Sequence, residues 1–233
     1  MAELDCAGRT VREINARIRE LGEADIVVKN PGARHNLGVA ILKPARIRFE
    51  GSVGYYCGGL IDGAEIEISG SAGWGMAESM MNGTVVARGS AGNGAAAAIR
   101  GGSVIIHGDA AARLGVSMKG GLVLVAGNCG YMAGFMGQKG TLIVCGDAGE
   151  AFADSMYATT CFVGGRIAEL GTDAVASAPD GEEAAFLDST LERYLSPAER
   201  RSKPAGRDFQ KVVAGRKLWN FDKREWKIWQ EAL

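Results

Sequence analysis

The feature that most constrains this chain is a period of nineteen residues. A glycine closes a short apolar run at Gly51, Gly70, Gly89, Gly108, Gly127, Gly146 and Gly165. The four residues before each read IRFE, IEIS, VVAR, VIIH, VLVA, LIVC and CFVG, with apolar or small residues first and third, as in a strand with one buried face. Three positions after each anchor stand Gly54, Gly73, Gly92, Ala111, Gly130, Gly149 and Ala168. Seven after it stand Gly58, Ala77, Ala96, Gly115, Gly134 and Ala153. Ten after it, Ile61, Met80, Ile99, Met118 and Met156 supply a second large apolar residue, with Gly137 the exception, and further turns follow at Gly63, Gly83, Gly102, Gly121 and Gly140.

A unit this short cannot close a core alone, but units stacked at the strand spacing of about 4.8 Å bury a continuous interior. A helical solenoid needs a longer unit and tolerates interior glycine poorly, whereas 35 of the 233 residues here are glycine. The expected fold is an all-β solenoid, a right-handed parallel β-helix of about seven rungs. Nineteen residues at about 3.3 Å each give a perimeter of roughly 60 Å, and seven rungs a rise of about 34 Å. The Gly and Ala columns are expected at bends, where positive φ or close backbone approach excludes larger side chains.

Charge is distributed to match. Residues 47–165 hold 15 of the 53 charged residues, and the remaining 114 residues hold 38. The reading divides the chain into an N-terminal α/β cap over 1–46, the β-helix over 47–175, and a helical, basic, Trp-rich extension over 176–233. In the cap, Thr10 and Glu13 form a capping pair ahead of Val11, Ile14, Ile18 and Leu21, and Ile26, Val27 and Val28 form a strand. The loop that follows contains Arg34 and His35. Arg34 could hold a carboxylate, but pinning the loop to the coil is an equal reading.

In the extension, residues 182–195 suit a helix, and Trp219, Phe221, Trp226 and Trp229 cluster near the end beside basic residues. They are candidates for partner binding, since Trp and Arg dominate interface energetics; packing back on the coil is the alternative. The formal net charge of −1 removes the footprint of nonspecific nucleic-acid or membrane-surface binding. The sequence opens without a secretory pattern and has no apolar run of membrane-span length, so a cytoplasmic location is expected.

Catalytic and metal-binding readings find little purchase. His107 ends a strand and is expected at a surface or stack position. The scattered Cys6, Cys57, Cys129, Cys145 and Cys161 form no CxxC pair and read as buried apolar groups. Gly73-x-Gly75 and Gly92-x-Gly94 lack the strand-to-helix context of a phosphate cradle. Asp62, Glu65, Glu67 and Glu78 could form an outer acidic ladder of the glycan-cleaving kind, though nothing fixes a paired separation.

The spacing G-x-x-G-x-x-x-G, complete at Gly51-Gly54-Gly58 and Gly127-Gly130-Gly134, resembles the GXGXG β-helix at the C-terminus of the glutamate synthase large subunit, over residues 1 to about 175. Among stand-alone members, the segments NPGARHNLGVAI, GSVGYYCGGLIDG, SMKGG, GFMGQKG and VCGDAGEAFADSMY are most similar to the β-helix subunits of N-methylglutamate synthase (methylamine–glutamate N-methyltransferase). The C subunits of formylmethanofuran dehydrogenases are a looser match. The resemblance implies a scaffold without catalytic residues, cofactor or metal of its own. It would hold an amidotransferase-like subunit and an FMN and iron–sulfur subunit in a hetero-oligomer that makes N-methylglutamate from glutamate and methylamine. A formyltransfer-complex scaffold and a stand-alone carbohydrate-active β-helix are the alternatives.

Overall fold

The computed structural model describes residues 1–22 and 25–215. Its strands are β1 (Ala2–Asp5), β2 (Asp25–Lys29), β3 (Arg46–Glu50), β4 (Asp62–Ile68), β5 (Asn82–Ala87), β6 (Ser103–Ile106), β7 (Lys119–Val125), β8 (Lys139–Val144), β9 (Thr159–Val163), β10 (Ala174–Ser177) and β11 (Gln210–Ala214). The helices are α1 (Val11–Leu21), α2 (Gly181–Tyr194) and α3 (Pro197–Arg200).

One strand per turn stacks in parallel from β1 to β9, and the pairs Ile47↔Ile66, Ile66↔Val85 and Val85↔Val104 keep the nineteen-residue register. A second, one-residue ladder runs through Val53, Ala72, Ala91, Ala110, Cys129, Ala148 and Ile167. The molecule is thus a β-solenoid of about seven turns. Phe49, Ile66, Ile68, Val85, Val104, Val123 and Leu142 fill its interior from the sheet, and Cys57, Met76, Leu114 and Phe152 fill it from the opposite arc.

Each glycine column has its own cause. At the anchors, the side chain of the preceding rung occupies the place a Cβ would need: a Cβ on Gly70 would lie 2.5 Å from Ser52 Oγ. That hydroxyl accepts from the backbone N–H of Ser71 at 3.0 Å, and the device recurs through Ser71, Ser90, Asp109, Asn128 and Asp147, each bonded to the next rung's N–H. Three positions on, φ is not positive and the cause is close approach; a Cβ on Gly73 would meet the Gly54 carbonyl carbon at 2.7 Å. Seven positions on, φ is positive, 76° at Gly134 and 61° at Ala153.

Positive φ is not confined to the Gly and Ala columns, as the sequence had suggested. In each arc it recurs at alternate residues, for example Tyr56, Gly58 and Leu60, or Arg113, Gly115 and Ser117. Alternation turns successive N–H groups up and down the coil axis. Gly94 and Ala98 donate forward to Ala112 and Val116, and Ala96 donates back to Met76, at 2.9, 2.8 and 2.7 Å. The left-handed conformation costs a non-glycine residue about 1–2 kcal/mol, and each hydrogen bond returns about 0.5–1.5 kcal/mol. The arc is therefore nearly neutral in backbone terms and relies on the side chains it buries.

The further-turn column also differs from its sequence alignment. Gly83 pairs with Ala64, not Gly63, because the ladder shifts by one residue between Asp62 and Ala64, and Gly102, Gly121 and Gly140 follow Gly83 at nineteen-residue steps.

Both ends of the stack are covered. At the N-terminal end, α1 carries the expected Thr10–Glu13 capping box and buries Ile14 and Ile18. Its buried Asn15 donates to Asn36 O at 2.7 Å and accepts from Gly38 N at 2.8 Å. At the C-terminal end the segment expected to be helical also contains two strands. β11 lies between β9 and β10, antiparallel to both. Between these strands, α2 buries Leu187 and Leu191 against the outward-facing Ile105, Leu124, Ile143 and Phe162. The reason is visible in the second residue of each rung motif: Arg48 and Glu67 in the first two rungs, then Val86, Ile105, Leu124, Ile143 and Phe162. Once that column turns apolar on both faces, something must cover the outside.

Candidate functional site

Arg34 and His35 come together on the first arc but do different work. Arg34 Nη1 donates to the carbonyls of Asn30 and Pro31 at 2.8 and 3.1 Å, closing its own loop. His35 Nδ1 accepts from the backbone N–H of Tyr55 at 2.8 Å, which joins the loop to the next rung and leaves the ring proton on Nε2. The imidazole stacks on Tyr55 at 4.3 Å and Tyr55 on Trp74 at 5.1 Å. Tyr55 and Trp74 remain 45% and 54% exposed, so the rings form a ladder with open edges.

His107, expected at a surface or stack position, has a side chain only 5% exposed. Its Nδ1 lies 2.6 Å from Glu199 Oε1, and its Nε2 lies 3.0 Å from Arg88 Nη1, whose Nε bonds Glu67. A guanidinium only donates, so Nε2 accepts and Nδ1–H donates to Glu199. Burial pushes the Glu199 carboxyl up, but hydrogen bonds from the Ser196 side chain and backbone and from His107 outweigh it and hold the group at about 2. A carboxylate orienting a histidine resembles half of a catalytic triad, but here Arg88 occupies the nitrogen that would activate a nucleophile. Sequence reasoning missed Glu199. The Ser196-x-x-Glu199 capping signature is legible, whereas its contact with a strand ninety-two positions earlier is not.

The four acidic residues do not form one ladder. Glu65 and Glu67 lie on the outer sheet face, opposite Arg46 in register and bonded to Arg88 at 3.0 Å, while Asp62 opens the strand and Glu78 lies on the arc. All five cysteines are buried and free. Burial raises the thiols of Cys57 and Cys161, and lifts Cys129 and Cys145 to about 12. Among the described residues no cluster of three or more His, Cys, Asp or Glu could hold a metal ion, and no helix is long and apolar enough to cross a membrane. Trp219, Phe221, Trp226 and Trp229 lie outside the described residues.

No family model matches the sequence, and no curated protein matches it. Among solved structures, the fold is similar to a chain of the formyltransferase/hydrolase complex FhcABCD from Methylorubrum extorquens, solved in complex with methylofuran. The likeness covers 86% of this chain and 86% of that one, at 24% identity and a TM-score of 0.67. It establishes a shared solenoid fold.

Proposed function

We propose that this chain is a scaffold subunit of a multi-subunit enzyme of the formyltransferase/hydrolase type, holding catalytic partners at a fixed separation on a stiff coil. The observation that carries the reading is a fold shared over 86% of both chains with a component of such a complex. The internal chemistry agrees with a structural role. His35, His107 and Glu199 are each spent on joining one segment to another, and Arg34 on closing its own loop. The carbohydrate-active alternative fits less well. Sugar rings need open aromatic faces, and Tyr55, stacked between His35 and Trp74, has both of its faces taken.

A second reading retains the scaffold role but places it in an N-methylglutamate synthase, beside amidotransferase-like and FMN and iron–sulfur subunits. What supports it is the resemblance of the G-x-x-G-x-x-x-G spacing at Gly51-Gly54-Gly58 and Gly127-Gly130-Gly134 to the glutamate synthase β-helix.

Affinity purification of the tagged chain from its native cells, followed by native mass spectrometry, tests both. The first reading expects a defined complex whose partners carry formyltransferase and hydrolase sequences. Flavin and iron–sulfur partners would transfer the reading to the second, and a lone chain with turnover of its own would overturn both. Deleting residues 216–233 is expected to weaken co-purification if the tryptophan cluster anchors a partner; an unchanged complex removes it from the interface.

A further inference from the structure

The third to fifth rungs carry an unusual charge pattern. Between Glu78 and Asp147 the sequence contains one acidic residue, Asp109, whose carboxylate already accepts from the Asn128 backbone and side chain. The same stretch contains Arg88, Arg100, Arg113, Lys119 and Lys139. Arg88 is bonded to Glu67, and none of the other four joins an ion pair among the described residues.

These four cations fall on or beside the arc. Arg100 and Lys119 occupy the same column on successive rungs, and Lys119 stands directly opposite Lys139 in the β7–β8 register. Like charges opposed across strands are destabilising, so the fold bears a local cost that no ion pair among the described residues offsets. The side chains between the cations are small, with Ala97, Ala98, Ala112 and Val116 half-buried, and the exposed Trp74 and Tyr131 flank them in the column that also holds Asn93 and Ala112. The arc's N–H groups at Gly94, Ala98, Arg113 and Ser117 are consumed by rung-to-rung bonds. Recognition here must therefore come from side-chain charge.

We propose that the arc face of the third to fifth rungs is a docking surface for a carboxylate-rich segment of a partner protein, an inference that rests on the scaffold reading above. The unpaired cations supply the charge complementarity, and the small side chains between them allow a backbone to approach. The patch spans three rungs, about 10 Å from first to third. That suits a short acidic segment better than a nucleic acid, whose binding rests on a longer row of phosphate contacts.

The test is fluorescence anisotropy with the full chain and a labelled decapeptide of alternating Glu and Ala, at low and physiological salt. Wild type should bind, more weakly as salt rises, and the R100E/K119E/K139E variant should bind at least tenfold more weakly. A K43E/R201E control, which reverses two exposed charges elsewhere, should bind as wild type does. Should the triple variant not fold, single R100A and R113A variants must still give graded losses. Absent or salt-insensitive binding, unchanged binding by the triple variant, or equal binding of a thymidine oligonucleotide of matched charge would each overturn the proposal. A failed peptide assay with the native complex intact would remove this surface alone; peptide binding without any co-purified partner would instead remove the scaffold reading.

Discussion

The imidazole of His107, on the fourth rung, meets the carboxylate of Glu199 at 2.6 Å across a sequence separation of ninety-two residues. It is one of the polar ties between the coil and the C-terminal extension, with Ser103 Oγ–Tyr194 Oη at 3.1 Å and Gln210 Nε2 to Gly165 O at 2.8 Å, and it sits next to the apolar seam formed by α2. Removing the imidazole leaves Glu199 and Arg88 without their shared partner. H107A should cost about 1–3 kcal/mol. Hydrogen exchange in α2 and α3 should accelerate, while the middle rungs keep their protection. Uniform loss of protection along the whole coil would contradict a local tie.

Glu199 also sets an acid response. Its folded value of about 2 lies below the ordinary 4.5, so its contribution to stability is complete above about pH 4.5 and is lost as pH falls toward 2. Denaturant melts across that window should show wild type losing stability more steeply than E199Q. Parallel curves would mean that the carboxylate carries no such linkage.

Two glycine columns should respond differently to alanine. At Gly134 the nearest atoms to an added Cβ are 3.5 Å away, and alanine already stands at the equivalent Ala77, Ala96 and Ala153. G134A should therefore cost no more than about 1–2 kcal/mol, from its positive φ alone. At Gly73 an added Cβ would lie 2.6 Å from the Tyr55 ring and 2.7 Å from the Gly54 backbone, so G73A should cost about 1–3 kcal/mol and disturb the Tyr55–Trp74 stack. Chemical denaturation gives the ranking, and near-ultraviolet circular dichroism reports the stack.

Truncating the outer seam is a further stability test. Leu191 is fully buried between α2 and the outer sheet face, and L191A should cost about 2–5 kcal/mol. The sheet residues beneath it are apolar, so the variant should also gain binding of a hydrophobic dye. A cost below 1 kcal/mol with no dye binding would show that α2 is not held by this seam.

The thiols should be inert. Burial lifts Cys129 and Cys145 to about 12, and Cys57 and Cys161 are raised as well. Ellman's reagent at neutral pH should label the native chain slowly and the unfolded chain at all five positions. Rapid labelling of a folded thiol would identify an opening that the packing does not show.

The rungs were legible because a nineteen-residue column is a one-dimensional signal: Ile47, Ile66 and Val85 repeat in the sequence as they stack in space. The outer seam left a trace too, in the change from Arg48 and Glu67 to Ile105 and Leu124, although identifying what covers it needs the fold. The antiparallel return of β11 between β9 and β10 left none, because Gln210–Ala214 belongs to no column and its partners are fixed only by the end of the stack. Histidine roles were legible in part. The sequence offered loop-to-coil pinning to Arg34, whereas the structure gives that bond to its neighbour His35, and the burial of His107 depends on a segment folded back from the other end of the chain.

The polar ladder of Ser52, Ser71, Ser90, Asp109, Asn128 and Asp147 ties each turn to the next through one side chain per turn. In a chain bonded in this way, one inserted residue would have to bulge out of its turn for the next anchor glycine to stay beneath its neighbour's side chain, as the register shifts at Asp62 and Lys119 do away from the anchors. The polar ladder is kept intact when such a coil grows or shrinks by whole turns. The distance between bodies seated at the two ends would then be adjustable across relatives in steps of about 4.8 Å, and in nothing finer.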